Sequence, residues 1–403
     1  MPTIRARRLS AIAAAALLAS ALTACSSSSS DPGASIGGGG SAKPQFTFAL
    51  ITDLTGPIAS TVSPGNAGAL TAIAQINASG GIDGRQIKVV GPFDSQSSTQ
   101  GGTSSAQQAV TAKPDVIIDT SFSGGVTAGM PVFRQSGIPL LTNGAGQDTI
   151  VPPIPGHFSL GFIGQMSASA LYSRAKQDLG STKLKVAFIG LESPAVDPVA
   201  DETETMASSA GATVIDVERT PVTMTSFASQ AARIVSSNAN AVFIADQVTS
   251  VVLEVQALRT AGYSGHIYST FGAADTPSLQ KINDPNFTAF RVAYVPNPSD
   301  PLYQAAQKAG TVASTSSSYF GYGYALPYIA KVVLTKCGVT CSLSSFSKTA
   351  ETIGPMTIPD HALFGPVQFG ATRHTGITVV QFYKWDAAKK AAVPYGGPVS
   401  VTG

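Results

Sequence analysis

Phe46-Thr47-Phe48-Ala49-Leu50-Ile51-Thr52-Asp53 opens the stretch that decides the fold. The run is rich in aromatic and branched residues and stops at Thr52-Asp53, which reads as a buried strand. Leu54-Thr55-Gly56-Pro57-Ile58-Ala59-Ser60 follows as a turn-forming segment with a Gly-Pro pair and hydroxyls. The next segment predicts a helix over about 65–78, with Ala67, Leu70, Ile73 and Ala74 on one stripe. Ser79-Gly80-Gly81 ends it, because glycine accepts the left-handed backbone that helix ends commonly need. Gln86-Ile87-Lys88-Val89-Val90 then reads as a second strand. Strand, loop, helix, strand is a βαβ unit with parallel strands. Open α/β sheets bind small ligands beyond the carboxyl ends of their strands, so the loop at 53–60 is the first candidate contact.

Outward from this stretch the alternation continues. Strand-like runs recur at Val116 to Ile118 and Pro139 to Leu141, with helix-like segments at about 102–112 and 126–135 between them. Two more loops follow strand ends. Ser121-Phe122-Ser123-Gly124-Gly125-Val126-Thr127 opens onto a helix, whose free N–H groups would seat a carboxylate or other acceptor. Thr142-Asn143-Gly144-Ala145-Gly146-Gln147 is the other. Each alone is ordinary turn chemistry, and three at successive strand ends favour a ligand site. A second series begins after Gly156-His157-Phe158-Ser159-Leu160, with strand-like runs at 185–189, 213–217, 241–245 and 266–269. Its strand-end loops bring Glu192-Ser193, Asp246-Gln247 and Thr270-Phe271 to one face.

The 403 residues suffice for two domains with their own cores, and a charged fraction of 12% argues for a globular chain. Arg5, Arg7 and Arg8 precede a short apolar run, Ala11 to Leu18, and Leu22-Thr23-Ala24-Cys25 matches the bacterial lipoprotein box. The box implies cleavage after Ala24 and a lipid on Cys25. The plainer alternative is a secretory signal with a chance cysteine. Without that leader, 22 basic residues stand against 23 acidic ones, which gives no electrostatic case for nucleic acid. Residues 25–45 read as a Ser/Gly tether. In an exported chain the remaining pair, Cys337 and Cys341, favours a disulfide over a metal site, since no histidine lies close in sequence.

Several chemistries lack their motif. There is no Gly-x4-Gly-Lys-Ser/Thr, no Gly-x-Ser-x-Gly and no His-Glu-x-x-His. His157, His266, His361 and His374 are far apart in sequence and read as surface or packing residues. No cofactor, no metal and no enzymatic activity is expected. No membrane-spanning run follows the leader, so the chain is not expected to be a pore.

Leu54-Thr55-Gly56-Pro57, taken with Ala74-Gln75-Ile76-Asn77-Ala78-Ser79-Gly80-Gly81-Ile82-Asp83-Gly84-Arg85, resembles the opening of the leucine/isoleucine/valine-binding family. These are solute-binding proteins of ABC importers with the type I periplasmic fold. The resemblance spans Phe46 to about Trp385. It implies an α/β fold of two Rossmann-like lobes with mainly parallel sheets, joined by crossover strands. The first lobe would comprise 46–158 and 296–365, and the second 159–295 and 366–403. It further implies a small-molecule solute between the lobes, permease subunits of the importer as partners, attachment to the outer face of the cell membrane through Cys25, and a monomer. A ligand-sensing receptor domain of the same fold and a secreted hydrolase remain the alternatives.

The cleft residues expected are Thr55, Ser123, Gly124, Asn143, Gly144, Asp246, Gln247 and Phe271. Amino-acid binders of the family place a hydroxyl in the third first-lobe loop and an acid in the 270–273 loop. Gly146 and Phe271 stand at those places here. A buried ammonium without a carboxylate partner is costly, which disfavours a zwitterion and favours an aromatic or neutral polar solute, unless Asp246 supplies the charge.

Overall fold

The computed structural model describes residues 44–144, 147–180, 184–193, 195–221, 223–270, 273–338 and 340–401. Cys25, the leader and most of the tether lie outside these residues, as do Gly146 and Phe271.

The first lobe begins with β1 (Phe46–Thr52), α1 (Ala59–Ala78), β2 (Ile87–Asp94), α2 (Thr99–Thr111) and β3 (Val116–Asp119). It continues with α3 (Ser123–Ser136), β4 (Leu140–Thr142), α4 (Gln147–Ile150) and β5 (His157–Ser159). These strands form one parallel sheet in the order β2-β1-β3-β4-β5. β3 and β4 are fully buried, which explains their unbroken apolar runs.

The chain then builds α5 (Gly164–Leu179), β6 (Leu184–Leu191), α6 (Asp197–Met206), β7 (Ala212–Thr220) and α7 (Ala228–Ser236). After these come β8 (Ala241–Ala245), α8 (Val248–Thr260), β9 (His266–Ser269), α9 (Thr276–Ile282) and β10 (Phe287–Arg291). It returns to the first lobe for α10 (Pro301–Ala309), α11 (Ser318–Cys337) and α12 (Leu343–Thr352). It ends in the second sheet with β11 (Val379–Asp386), β12 (Ala391–Pro394) and β13 (Val399–Ser400). The second sheet runs β12-β11-β10-β9-β8-β6-β7, parallel from β10 to β7 and antiparallel where β11, β12 and β13 join.

Three segments pass between the lobes, at about 160–163, 292–300 and 363–378. The third lies against both others. Ser159 N donates to His374 O and Gly376 N to Ser159 O, each at 2.8 Å, while Tyr294 N donates to Ala362 O at 2.9 Å. The first crossing leaves the carboxyl end of β5 and enters α5 at its amino end, so the strand-end edges of both sheets flank the crossings. Gln147 Oε1 accepts the Gly164 N–H across this junction at 2.8 Å. One core runs from the α1/α11 face of the first sheet, through the crossings, to the α5/α6 face of the second. Separate cores fill the α2/α3 face and the α7/α8 face.

The structure differs from the sequence expectations in places with clear causes. α1 starts six residues early, at Ala59, and contains Pro64. The missing proline N–H falls opposite Ser60, which is exposed, so water can satisfy that carbonyl. The expected stripe is also displaced: Ala74 is exposed, and Val62, Ala69, Ala72, Ile73 and Ile76 are buried. α1 is pressed against α11 as well as the sheet, so its buried surface is broad. At that crossing Gly323 lies so close that a Cβ would sit 1.7 Å from Gly65 O. Cys337 and Cys341 are joined by a disulfide with Cα atoms 5.5 Å apart, at the far end of α11 from the crossings.

Two of the histidines, distant in sequence, meet at the first crossing. His374 Nδ1 lies 2.8 Å from His157 O and Nε2 3.1 Å from Glu351 Oε1, tying the third crossing to β5 and α12. Burial, with the charges of Arg134 and His374, pushes His157 down to about 4, so it packs uncharged at neutral pH.

Candidate functional site

Successive strand ends of the first lobe carry most of the candidate residues. Asp53, fully buried just past β1, accepts hydrogen bonds from the Ser95 and Ser97 hydroxyls. The next residues turn outward and are exposed. Asp94, the last residue of β2, holds them: its Oδ1 accepts the N–H groups of Leu54 (2.9 Å), Thr55 (3.3 Å) and Gln96 (2.9 Å), and its Oδ2 accepts the Thr55 hydroxyl (2.6 Å). Gly56, at φ +103°, touches the same β2–α2 loop; a Cβ there would sit 2.4 Å from Gln96 O. Only glycine fits that conformation and that approach.

At β3 the chain turns through Thr120, Ser121 and Phe122. Thr120 N donates to Ile51 O and Ser121 N to Asp119 Oδ1, at 2.8 and 2.9 Å. Ser123 and Gly124, expected in a loop, form the first turn of α3. Their N–H groups therefore belong to the helix end, where no carbonyl of the same helix can reach them. The loop after β4 lies against them: a Cβ on Gly144 would be 2.8 Å from Ser121 O and 3.5 Å from Ser123 N. Thr142 Oγ1 folds this loop by donating to Gly144 O and accepting Gly144 N, at 2.9 and 3.0 Å. Asn143 is 8% exposed and its Nδ2 has no partner, with Gly65 of α1 beside it. Gly144 thus lies against the amino end of α3 at Ser123 and Gly124, while the neighbouring Asn143 amide is turned towards Gly65 of α1. Thr55 stands on the other side of β1, tied towards β2.

Asp119 lies under this patch. Burial, helped by the charge of Asp53, pushes its carboxyl up to about 7 against the hydrogen bond from the Ser121 N–H. α2, on the same face of the sheet, carries no charged residue.

In the second lobe Asp246 follows directly on β8. Its Oδ2 accepts the Thr220 hydroxyl at 3.0 Å and its Oδ1 the Gln247 N–H at 2.6 Å. Gln247 is exposed at the N-cap of α8. Glu254 on α8 is fully buried, and burial with the nearby Asp246 raises its carboxyl well above the ordinary range. Burial raises the Asp246 carboxyl as well, against the bonds from Gln247 and Thr220, so the two acids titrate together as a pair. The loop after β9 also reaches the other lobe: Asp275 Oδ2 accepts from Ser317 Oγ and Ser318 N at the start of α11, both at 3.4 Å. Arg291 backs it, donating to Ala274 O at 2.8 Å with its guanidinium 4.0 Å from the Tyr383 ring centre.

Asp94, Glu254 and the Asp275–Arg291 pair were not singled out by the sequence. The signal for Asp94 was its place at a strand end; the others had none. A cavity of about 480 Å³ lies beside the second crossing, between Thr276, Gln280, Val295, Pro296 and Thr315, and none of the expected cleft residues lines it. Among the described residues, no group of three or more metal-binding side chains is placed to hold an ion, and no helix is long and apolar enough to cross a membrane.

Two α/β units with facing strand ends and three crossings agree with a match of residues 45–391 to the periplasmic binding protein family. The chain belongs to that family. Its fold is the type I form, two α/β domains with mainly parallel sheets. Similar solved structures include the R. palustris ABC-transporter solute-binding protein in complex with 4-hydroxybenzoate, 18% identical, with TM-score 0.73 over 88% of this chain and 96% of that one. Another is the branched-chain amino acid transporter substrate-binding protein LivJ of Streptococcus pneumoniae with isoleucine, 17% identical, TM-score 0.70 over 87% and 99%. The leucine-binding protein LivK of Thermotoga maritima is 15% identical, TM-score 0.69 over 87% and 98%. At these identities the likeness is one of fold. As a periplasmic binding protein the chain is expected outside the cytoplasm, taking a small molecule as its ligand.

Proposed function

We propose that this protein is the substrate-binding lipoprotein of an ABC-type importer, held on the outer face of the membrane through Cys25. Residues 1–24 are its signal peptide and 25–45 its tether. One lobe is 46–158 with 296–365, and the other 159–295 with 366–403. It captures a small polar solute, amino-acid-like, an amide or an aromatic acid, and hands it as a monomer to permease subunits. Catalysis is no part of this reading.

The observation that carries it is the amino end of α3, the Ser123 and Gly124 N–H groups with the Gly144 loop against them, together with the unpartnered amide of the adjoining Asn143. Such a helix end favours an acceptor, above all a carboxylate. Thr55, Gly144, Asp246, Gln247 and Phe271 complete the proposed contacts. The test is a thermal-shift screen against amino acids, amides, ureas and aromatic acids. A bound solute raises stability by mass action, by about 4 kcal/mol at a thousandfold excess over its dissociation constant. A flat response across the panel, with folded protein, counts against the reading. With Phe271 at the family's acidic position, leucine, isoleucine and valine should bind weakly or not at all. A micromolar constant for any of them by calorimetry, abolished in Asp246→Ala, would make Asp246 the ammonium partner instead. Mass spectrometry of the mature amino terminus tests the anchor: an unmodified Cys25 removes it.

A further inference from the structure

Thr55 has a single hydroxyl proton, and the structure commits it. The Asp94 carboxylate has no proton to give, so the 2.6 Å contact between Thr55 Oγ1 and Asp94 Oδ2 is a bond from threonine to aspartate. Three backbone N–H groups, from Leu54, Thr55 and Gln96, converge on the other carboxylate oxygen. They keep Asp94 ionised: although burial opposes them, its carboxyl is held below the usual range by the bonds from Thr55, Gln96 and Leu54. The Gly56–Gln96 contact locks the two loops together from the other side. Thr55 Oγ1 is thereby left with lone pairs only. At the β3 and β4 ends the polarity is reversed, because the Ser123 and Gly124 N–H groups and Asn143 Nδ2 are donors.

We propose that Asp94 fixes Thr55 as an acceptor-only contact, so that the cleft selects a solute carrying a hydrogen-bond donor, a hydroxyl or N–H, at the Thr55 end and an acceptor such as a carboxylate at the Ser123–Asn143 end. This deepens the solute-binding reading and rests on it, since it takes Thr55 to face the solute. Asp94 is a positioning residue: it acts on the ligand through Thr55. A structural cap would order the loop without setting the direction of the bond. Asparagine at this position separates the two roles, because its amide can donate to Thr55 Oγ1 and release the hydroxyl proton.

Calorimetry with wild type, Thr55→Val, Asp94→Asn and Asp94→Ala reads the polarity. The probes are 4-hydroxybenzoate and 4-aminobenzoate, which carry a donor, and 4-fluorobenzoate, of similar size without one. Wild type should prefer the donor-bearing acids by about tenfold, the effect of one hydrogen bond. In Thr55→Val and Asp94→Asn that ratio should fall towards one. Equal affinities in wild type, or an unchanged ratio in Asp94→Asn, overturns the assignment. Amide exchange of residues 54–60 in the free protein supplies the second readout. Protection should be lost in Asp94→Ala at neutral pH, and in wild type only as pH falls below the usual carboxylate range. Unchanged protection in Asp94→Ala overturns the tie whatever binds. If no probe binds while that protection is lost, the aromatic-acid reading of the cleft falls and the Asp94–Thr55 bond stands.

Discussion

In the second lobe, arginines answer carboxylates. Arg174 meets Asp178, Arg219 meets Asp197, Arg233 meets Glu218, and Arg259 holds Asp284 through two nitrogens at 2.6 and 2.9 Å. In the first lobe the buried carboxyls are answered by hydroxyls and backbone: Asp53 by Ser95 and Ser97, and Asp119 by the Ser121 N–H. The difference is one of charge. An arginine partner favours the ionised acid, whereas a hydroxyl in a dry site compensates it only in part. The same sparing of charge marks the α1–α11 contact, where glycines let two backbones touch. The first lobe therefore offers donors at its β3 and β4 ends and an acceptor at Thr55, backed by the Asp94 carboxylate, and the second offers Asp246.

The largest expected effect lies with Asp119. Its folded-state value near 7 stands above that of the unfolded chain, so the native state binds the proton more tightly. Stability should be greatest below about pH 4 as far as this group is concerned. It should fall as pH rises towards 7, by at most about 4 kcal/mol. Asp119→Asn should flatten that fall in pH-dependent denaturation; an unchanged profile would mean the first lobe tolerates its charge as the second does. Next comes Gly323→Ala. Its Cβ would meet Gly65 O at 1.7 Å, a backbone atom that cannot rotate away, and a loss of about 3 kcal/mol is expected by denaturant titration. A loss no larger than that of an ordinary surface change would refute close backbone packing there.

Arg259→Ala tests the other side of the comparison. It strips donors from Asp284 and from the Tyr263 and Gly265 carbonyls, and should cost about 2 kcal/mol, more at neutral than at acid pH. The same loss at pH 3 and pH 7 would mean that packing, not charge, is at stake. The smallest effect is expected at Cys337–Cys341, which closes a loop of four in sequence separation at the end of α11. Replacing both with alanine should cost no more than about 2 kcal/mol and leave ligand affinity unchanged. Detecting two free thiols in the denatured, unreduced protein would remove the bond altogether.

Much of the α/β order was legible because fully buried strands are nearly unbroken apolar words: Val116 to Ile118 and Ala241 to Ala245 need no context. The start of α1 was not, since Pro64-Gly65 looks like a breaker until the exposure of Ser60 is known. β12 and β13 are short and edge-lying, held by β11 rather than by their own composition. Glycine and hydroxyl clusters after successive strands pointed to Ser123, Gly124, Asn143 and Gly144. What gives those loops their chemistry was hidden by distance along the chain. Asp94 acts on Thr55 across 39 residues, and His374 meets His157 across 217. Local patterns reveal which backbone forms; they carry no trace of which distant carboxylate takes a hydroxyl's proton.

Small-angle scattering with and without solute tests the central claim most directly. Two lobes joined by crossings, with facing strand ends and a ligand between them, should close by a hinge. The account predicts a smaller radius of gyration at saturating ligand, absent in Asn143→Ala at the same concentration. An unchanged radius in wild type with ligand demonstrably bound would contradict it.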